Sequence, residues 1–256
     1  MFIGKPKQIL LSKDELKRFP VSIYFVLAEY LVFWTVIRLI DLFSKNKKVQ
    51  CPLCGWEGRL FYPAVLNQKV ITNRVCPCCA SQTKDRSFIY ALKKMNLVRP
   101  GIKILDVCPS RSNVDYFTAN NQIEYTAIDL YPDYPGIKKM DVRDLKFSNG
   151  VFDYVFCLNV LEHIKEDDEA LKELKRVVKV NGKVFVEIPM KGEQTVEYEK
   201  PNALDSDHVR QYGSDVTERF EKAGFKYKEI KWSQLYGKKD KEKYGLKDKT
   251  VFLLTK

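Results

Sequence analysis

Four short apolar runs alternate with stretches of helical character between residues 102 and 188, and this ordering constrains the fold more than any other feature. The runs are 102–107 (IKILDV), 124–130 (EYTAIDL), 151–158 (VFDYVFCL) and 183–188 (KVFVEI); the clearest helical stretch between them is 166–180. Apolar runs separated by helices imply a parallel sheet covered on both faces. Ligands of such sheets bind beyond the carboxyl ends of the strands, where the strand order reverses. The ordering therefore points to an enzyme before any single residue does.

The ends of these runs carry candidate chemistry. Asp129 falls 23 residues after Asp106, near the place where nucleotide-binding sheets put an acceptor for ribose hydroxyls. A carboxylate can take two hydrogen bonds from a vicinal diol. The alternative is a turn aspartate ahead of Tyr131-Pro132.

Four blocks, ILDVCPS, YTAIDL, MDVRDLKFSNGVFDYVFCLNVLEHI and ELKRVVKVNGKVFVEIP, occur in this order. Together they resemble the successive motifs of class I S-adenosylmethionine-dependent methyltransferases of the type 11 kind, over about residues 101–230. The third block is the most specific. The resemblance implies a Rossmann-like α/β fold with a seven-stranded sheet. It implies that Asp129 holds the cofactor ribose, that Asp141 takes the adenine amino group, and that Val142 offers its backbone N–H to the ring. Asp106, Cys108 and Leu130 are the further expected cofactor contacts. Asn159, Glu162 and His163 would line the mouth where cofactor meets substrate. The chain departs from the family's first loop, which is usually glycine-rich: it has Cys108-Pro109-Ser110-Arg111-Ser112, and Pro109 offers no N–H.

A cysteine pattern precedes the sheet. Cys51-x-x-Cys54 and Cys76-x-x-Cys79 form two knuckles, with Cys78 left over. Four thiolates in two such turns close a tetrahedral zinc site, structural because no position stays open. The rival is a pair of disulfides in an exported protein. No cleavable signal peptide is evident, and Cys108 and Cys157 fall in apparent core elements.

Residues 21–43 are apolar apart from Ser22, Glu29, Thr35, Arg38 and Asp41, and these scatter around a helical wheel. The length suits a bilayer, while Glu29 and Arg38 argue against a plain span. Lys13, Lys17 and Arg18 precede the stretch, and Lys45, Lys47 and Lys48 follow it. Membrane contact and a helix packed on protein both remain open, with a cytoplasmic location expected for the rest. The organisation expected is 1–48 with the apolar helix, 49–82 as a zinc-ribbon module and 83–256 as the methyltransferase domain.

The formal charge is +11, which permits contact with RNA phosphates or an anionic surface. No basic motif of a known RNA module is present. After Met190 a polar segment expected to be irregular leads to His208-Val-Arg210-Gln-Tyr212-Gly213. The chain has only two histidines, and both fall where substrate should sit. His163, His208 and Glu162 are the candidate catalytic residues; a structural capping role for His208 is the alternative. The expected function is direct methyl transfer to a glycan, a lipid-linked molecule or a small molecule. An RNA methyltransferase, and a non-enzymatic zinc-ribbon interaction protein with an altered cofactor loop, are the alternatives.

Overall fold

The computed structural model describes residues 22–43, 48–66, 69–202 and 206–256. Val21 and the lysines at 13, 17, 45 and 47 lie outside the described residues, with Arg18.

Along the chain the first elements are α1 (Ser22–Phe43), β1 (Val49–Gln50), β2 (Glu57–Gly58), β3 (Tyr62–Leu66), β4 (Lys69–Val75) and α2 (Thr83–Lys94). Then come β5 (Lys103–Val107), α3 (Arg111–Thr118), β6 (Glu124–Asp129), β7 (Ile137–Lys139), β8 (Phe152–Leu158), α4 (Asp167–Val177) and β9 (Val178–Glu187). The last are β10 (Val196–Asn202), β11 (His208–Gln211), α5 (Val216–Lys222), β12 (Lys226–Lys231), α6 (Lys238–Tyr244) and β13 (Thr250–Thr255). They group into two compact units. One takes the described residues up to Met95 with Leu235–Asp248; the other takes Asn96–Gln234 with Lys249–Lys256.

The second unit is built on a seven-stranded sheet in the order β12-β13-β9-β8-β5-β6-β7. β5, β6, β7, β8 and β9 run parallel, and β13 is antiparallel to both β9 and β12. This is the parallel sheet that the alternation predicts and the Rossmann-like architecture that the resemblance implies. Its central strands are buried on both faces, which is why they read as nearly continuous apolar runs. Leu105, Val107, Val155, Cys157, Val184 and Val186 pack there with Leu171 and Leu174 of α4. The edge strand β12 (KYKEIK) is mostly exposed and carries lysines, which guard an open edge against pairing with another chain.

Two segments differ from the sequence reading. The helix expected over 166–180 ends at Val177, and β9 begins at Val178. Val178 pairs with Phe152, and a register shift follows before Tyr154 pairs with Lys183. At that irregularity a Cβ on Gly182 would lie 2.8 Å from the Asp153 carbonyl oxygen, so the close backbone approach needs glycine. The segment after Met190 is not irregular throughout: β10 and β11 form an antiparallel hairpin. β10 lacks a buried face, so it shows no apolar alternation to read.

In the first unit, β1 pairs with β2 around Cys51 and Cys54, and β3 pairs with β4 between the two knuckles. α1 packs on this small module. Ile37 is buried, the Trp34 ring meets Tyr62 edge-on at 5.9 Å, and Asp41 Oδ1 accepts the Arg59 N–H at 2.8 Å. Arg38 lies over the Trp34 ring. Among the described residues no helix is long and apolar enough to cross a membrane. This agrees with the reading that Glu29 and Arg38 argue against a plain span. Arg38 and Asp41 would be costly in hydrocarbon; here Asp41 bonds the module through Arg59 and Arg38 is exposed.

Arg86 of α2 is the centre of this unit. Its side chain is fully buried, and its guanidinium lies 3.7 Å from the Phe61 ring centroid. It donates to the carbonyls of Ser81 (2.7 Å), Arg74 (3.1 Å), Tyr244 (3.0 Å) and Gly245 (3.2 Å). One side chain thus ties the second knuckle, β4 and the end of α6 together. Truncation leaves several buried carbonyls without a donor, at about 1–3 kcal/mol each. Arg86→Leu should lower the urea midpoint of this unit, followed by the fluorescence of Trp56, by the equivalent of about 3 kcal/mol. An unchanged midpoint would contradict this account of the unit.

Candidate functional site

The sheet order places the switch point between β5 and β8. From β5 the chain moves outward to β6 and β7, then returns to the other side of β5 as β8. Both central strands end on a non-glycine residue in the left-handed region, Cys108 with φ 53° and Asn159 with φ 56°. Such residues cost of order 1–3 kcal/mol and cluster at functional sites. Each is held from its neighbour strand: Cys108 N–H donates to the Ile128 carbonyl at 2.8 Å, and Asn159 N–H to the Glu187 carbonyl at 2.6 Å. Asn159 Nδ2 also donates to Glu187 Oε1 at 3.1 Å, and Lys249 Nζ reaches the same oxygen at 2.7 Å. Asp106 is buried and accepts the Tyr125 hydroxyl at 2.9 Å.

Asp129 stands at the end of β6, where Oδ1 accepts the Tyr131 N–H at 2.8 Å. That is the turn geometry the alternative reading anticipated, and a carboxylate so engaged still has acceptor capacity for a diol. Leu130 beside it is exposed. The Cys108 residue reaches solvent, yet desolvation and the neighbouring Asp129 push its thiol up to about 12. Asp141 follows β7 and is held by Arg143, whose guanidinium meets both carboxylate oxygens and whose N–H donates to Oδ1. Those bonds from Arg143 hold its carboxyl below the usual carboxylate range. Arg143 also bridges to Glu166. Val142 is buried. In the first turn of α3, after the Cys108 loop, Asn113 Oδ1 is a buried acceptor without a hydrogen-bond donor from the protein.

The two histidines come together. The His163 and His208 rings meet edge to face with centroids 4.8 Å apart. Their ligating atoms and a carboxylate oxygen of Glu162 all lie within 4.8 Å of one another. Glu162 and His208 are buried, and His163 is exposed. Glu162 and His163 belong to a short 3-10 turn, Leu161–His163, after β8, and His208 opens β11. Arg210, two residues on, faces the same side of the strand. It donates to the carbonyls of Ile164 (2.6 Å), Lys165 (2.7 Å) and Leu161 (3.3 Å). The turn is thereby clamped to the strand that carries His208. Asp167 completes the clamp: it accepts the Tyr212 hydroxyl at 2.5 Å and Arg219 at 2.9 Å, while Glu197 pairs with Arg210 and Arg219.

In the first unit the four knuckle cysteines converge, with Sγ separations of 3.7 Å for Cys51–Cys79 and 3.6 Å for Cys54–Cys76. Sulfurs about 2.3 Å from a tetrahedral zinc stand about 3.8 Å apart; these two separations match that, and all four sulfurs lie within 4.8 Å of one another. No disulfide joins them, and Cys78 is an exposed free thiol outside the cluster. The knuckles share one geometry. Cys51 and Cys76 donate their N–H to the carbonyls of Trp56 and Ser81, and accept from the N–H of Gly55 and Ala80. Gly55 and Ala80 both take positive φ. Ser81 Oγ lies 3.3 Å from Cys51 Sγ and 3.2 Å from Cys79 Sγ, in reach of two sulfurs at once.

The sequence reading put both histidines at the substrate side but did not see the Arg210 clamp that joins them. The signal was there as alternation: His208, Arg210 and Tyr212 are buried and Val209 and Gln211 less so. Asp167, which answers them, lies too far along the chain for pattern reading. Glu187 was read only as part of a strand.

Comparison with known proteins adds a similarity to one family. A family model described as a methyltransferase domain matches residues 91–186. No curated protein matches the chain. Among solved structures, the PH0226 protein of Pyrococcus horikoshii is similar at 19% identity, covering 69% of this chain and 92% of that one, with a TM-score of 0.48. A SAM-dependent methyltransferase of Archaeoglobus fulgidus is similar at 14% identity, covering 66% and 93%, with a TM-score of 0.47. The 1,6-didemethyltoxoflavin-N1-methyltransferase of Burkholderia thailandensis, solved with its substrate and S-adenosylhomocysteine, shows 14% identity, 65% and 76% coverage and a TM-score of 0.46.

The Cys108 environment has a measurable consequence. Its thiol titrates above the unfolded value of about 8.5, so folding favours the protonated form. The associated stability is fully present below pH 8.5 and is lost as pH rises toward 12. At pH 8, iodoacetamide should label Cys108 at least tenfold more slowly than Cys78, read by peptide mass spectrometry, with the gap closing toward pH 11. Equal labelling at pH 8 would contradict this environment.

Proposed function

We propose that residues 91–186, matched by a methyltransferase-domain model, belong to an S-adenosylmethionine-dependent methyltransferase that methylates a glycan or another small polar acceptor at the Glu162–His163–His208 cluster. The observation that carries this reading is that both histidines of the chain meet ring to ring beside the switch point. A nucleotide cofactor and an acceptor would lie next to each other there.

The residues present suit the cofactor. Asp129 offers acceptor oxygens to a ribose diol, and Val142 and Asp141 lie one strand further out for the adenine. Asn113 Oδ1, a buried acceptor lacking a protein donor, suits the ammonium of the methionine portion. Cys108 takes a left-handed conformation that glycine adopts most readily, so the loop makes such a turn without glycine. When bound, the cofactor supplies an electrophilic methyl on a sulfonium sulfur. The protein's share is to position the acceptor and to manage its proton. Imidazole titrates near neutral pH, so the exposed His163 can take the proton of an attacking oxygen. Buried Glu162 and His208 keep that ring in place, and Arg210 holds both elements in register. Residues 51–79 form a zinc-bound module through Cys51, Cys54, Cys76 and Cys79, and its role is structural.

Two measurements test this reading. Calorimetry should detect S-adenosylmethionine binding to the full chain, with Asp129→Ala weakening it about tenfold or more, as loss of a charge-assisted contact would. No binding at millimolar cofactor would overturn the assignment. Elemental analysis should find one zinc per chain, lost in Cys54→Ser and kept in Cys78→Ser. Zinc-free folded protein would refute the metal assignment.

A further inference from the structure

We propose that Glu162, His163 and His208 form a binding site for a divalent transition-metal cation, which holds the acceptor oxygen during methyl transfer. The cation site stands on geometry alone; its role toward the acceptor rests on the function proposed above.

The donor set is the first argument. Two imidazoles and one carboxylate are a recurring combination for zinc and for other divalent transition metals in catalytic sites, where it leaves coordination positions open for water or substrate. Here the three donor atoms already lie within 4.8 Å of one another. Donors about 2.0–2.2 Å from one ion stand about 3–3.5 Å apart. Side-chain rotations that bring the set together by a little over an ångström would therefore suffice.

Burial is the second argument. Glu162 is 1% exposed and His208 8% exposed, so two of the three donors are withdrawn from bulk water, where a cation is held more strongly than at the surface. His163 is exposed, so one side of the set is open to solvent.

The support around the ligands is the third. Metal ligands need neighbours that fix their orientation. Arg210 supplies this by bonding three carbonyls around the turn that carries Glu162 and His163, while sharing a strand with His208. Asp167 and Tyr212 hold Arg210 in turn. The four-thiolate cluster is soft and closed, whereas this set is nitrogen and oxygen and open, so the two sites should differ in metal preference.

The chemistry follows. A cation bound here would draw in an acceptor hydroxyl and lower its pKa. The O–H bond breaks, its proton passes to solvent, and the freed electron pair forms the new bond to the methyl carbon as the carbon–sulfur bond breaks. With the ion bound, the imidazole lone pairs serve the ion, and solvent replaces His163 as the acceptor of the proton that His163 takes in the metal-free form.

Because the chain has only two histidines, histidine-labelled protein gives two imidazole signals by NMR. Full-length protein, with zinc left in place, is titrated with manganese(II). Both signals should broaden at micromolar metal, saturate at one equivalent and recover when zinc(II) competes. Glu162→Gln should weaken the effect at least tenfold. His163→Asn, at an exposed position, should preserve the fold and abolish broadening of His208. No broadening at millimolar manganese, or undiminished broadening of His208 in His163→Asn, would overturn the site. Calorimetry with S-adenosylhomocysteine on the same sample separates the readings. Intact binding without broadening defeats only the cation site; broadening without cofactor binding defeats the methyl-transfer reading and leaves the cation site standing.

Discussion

The backbone hydrogen bonds between the two central strands of the parallel sheet and their outer neighbours organise the rest of the site. β5 and β8 lie side by side, and their chain continuations leave in opposite directions. Each ends in a left-handed residue whose N–H is tied to the adjacent strand, Cys108 to Ile128 and Asn159 to Glu187. Sheets of this order take ligands in the crevice beyond the carboxyl ends at such a switch point, and Asp129, Asp141 and the 161–163 turn all stand at or just after the ends of strands that finish there. The strain of the two left-handed residues is sustained because the buried sheet beneath them is tightly packed.

A second level of restraint sits on the acceptor side. The 161–163 turn and the His208 strand are separated in sequence, and nothing local would hold one histidine against the other. Arg210 does so through carbonyls of the turn, and Asp167, Tyr212, Arg219 and Glu197 fix Arg210. A buried network of this kind is stable only when fully satisfied. Its effect here is positional. In the cysteine unit, Arg86 performs a similar task by serving four carbonyls from one side chain.

Much of this was legible in the sequence, for physical reasons. Doubly covered strands are apolar throughout, so 102–107, 124–130 and 151–158 announce themselves. Two C-x-x-C turns can be read because knuckle spacing is set by local backbone geometry. The hairpin of β10 and β11 was hidden because a strand with no buried face has no alternation to show. The early start of β9 was hidden because Val178 pairs through a register shift that no local pattern reports. Residues 21–43 were ambiguous because apolar content alone does not say what covers a helix, and Arg38 and Asp41 took their meaning only from Trp34 and Arg59. The Arg210 clamp joins residues far apart in sequence, beyond the range of any spacing rule.

The central claim is that the crevice above β5, β6 and β8 is a nucleoside cofactor site. The most direct measurement is a backbone amide NMR titration with S-adenosylhomocysteine. The account predicts saturable shifts at Cys108, Leu130, Val142 and Asn159, with the amides of Cys51, Cys54, Cys76 and Cys79 unmoved. Shifts absent from those four positions, or confined to the cysteine module, would contradict it.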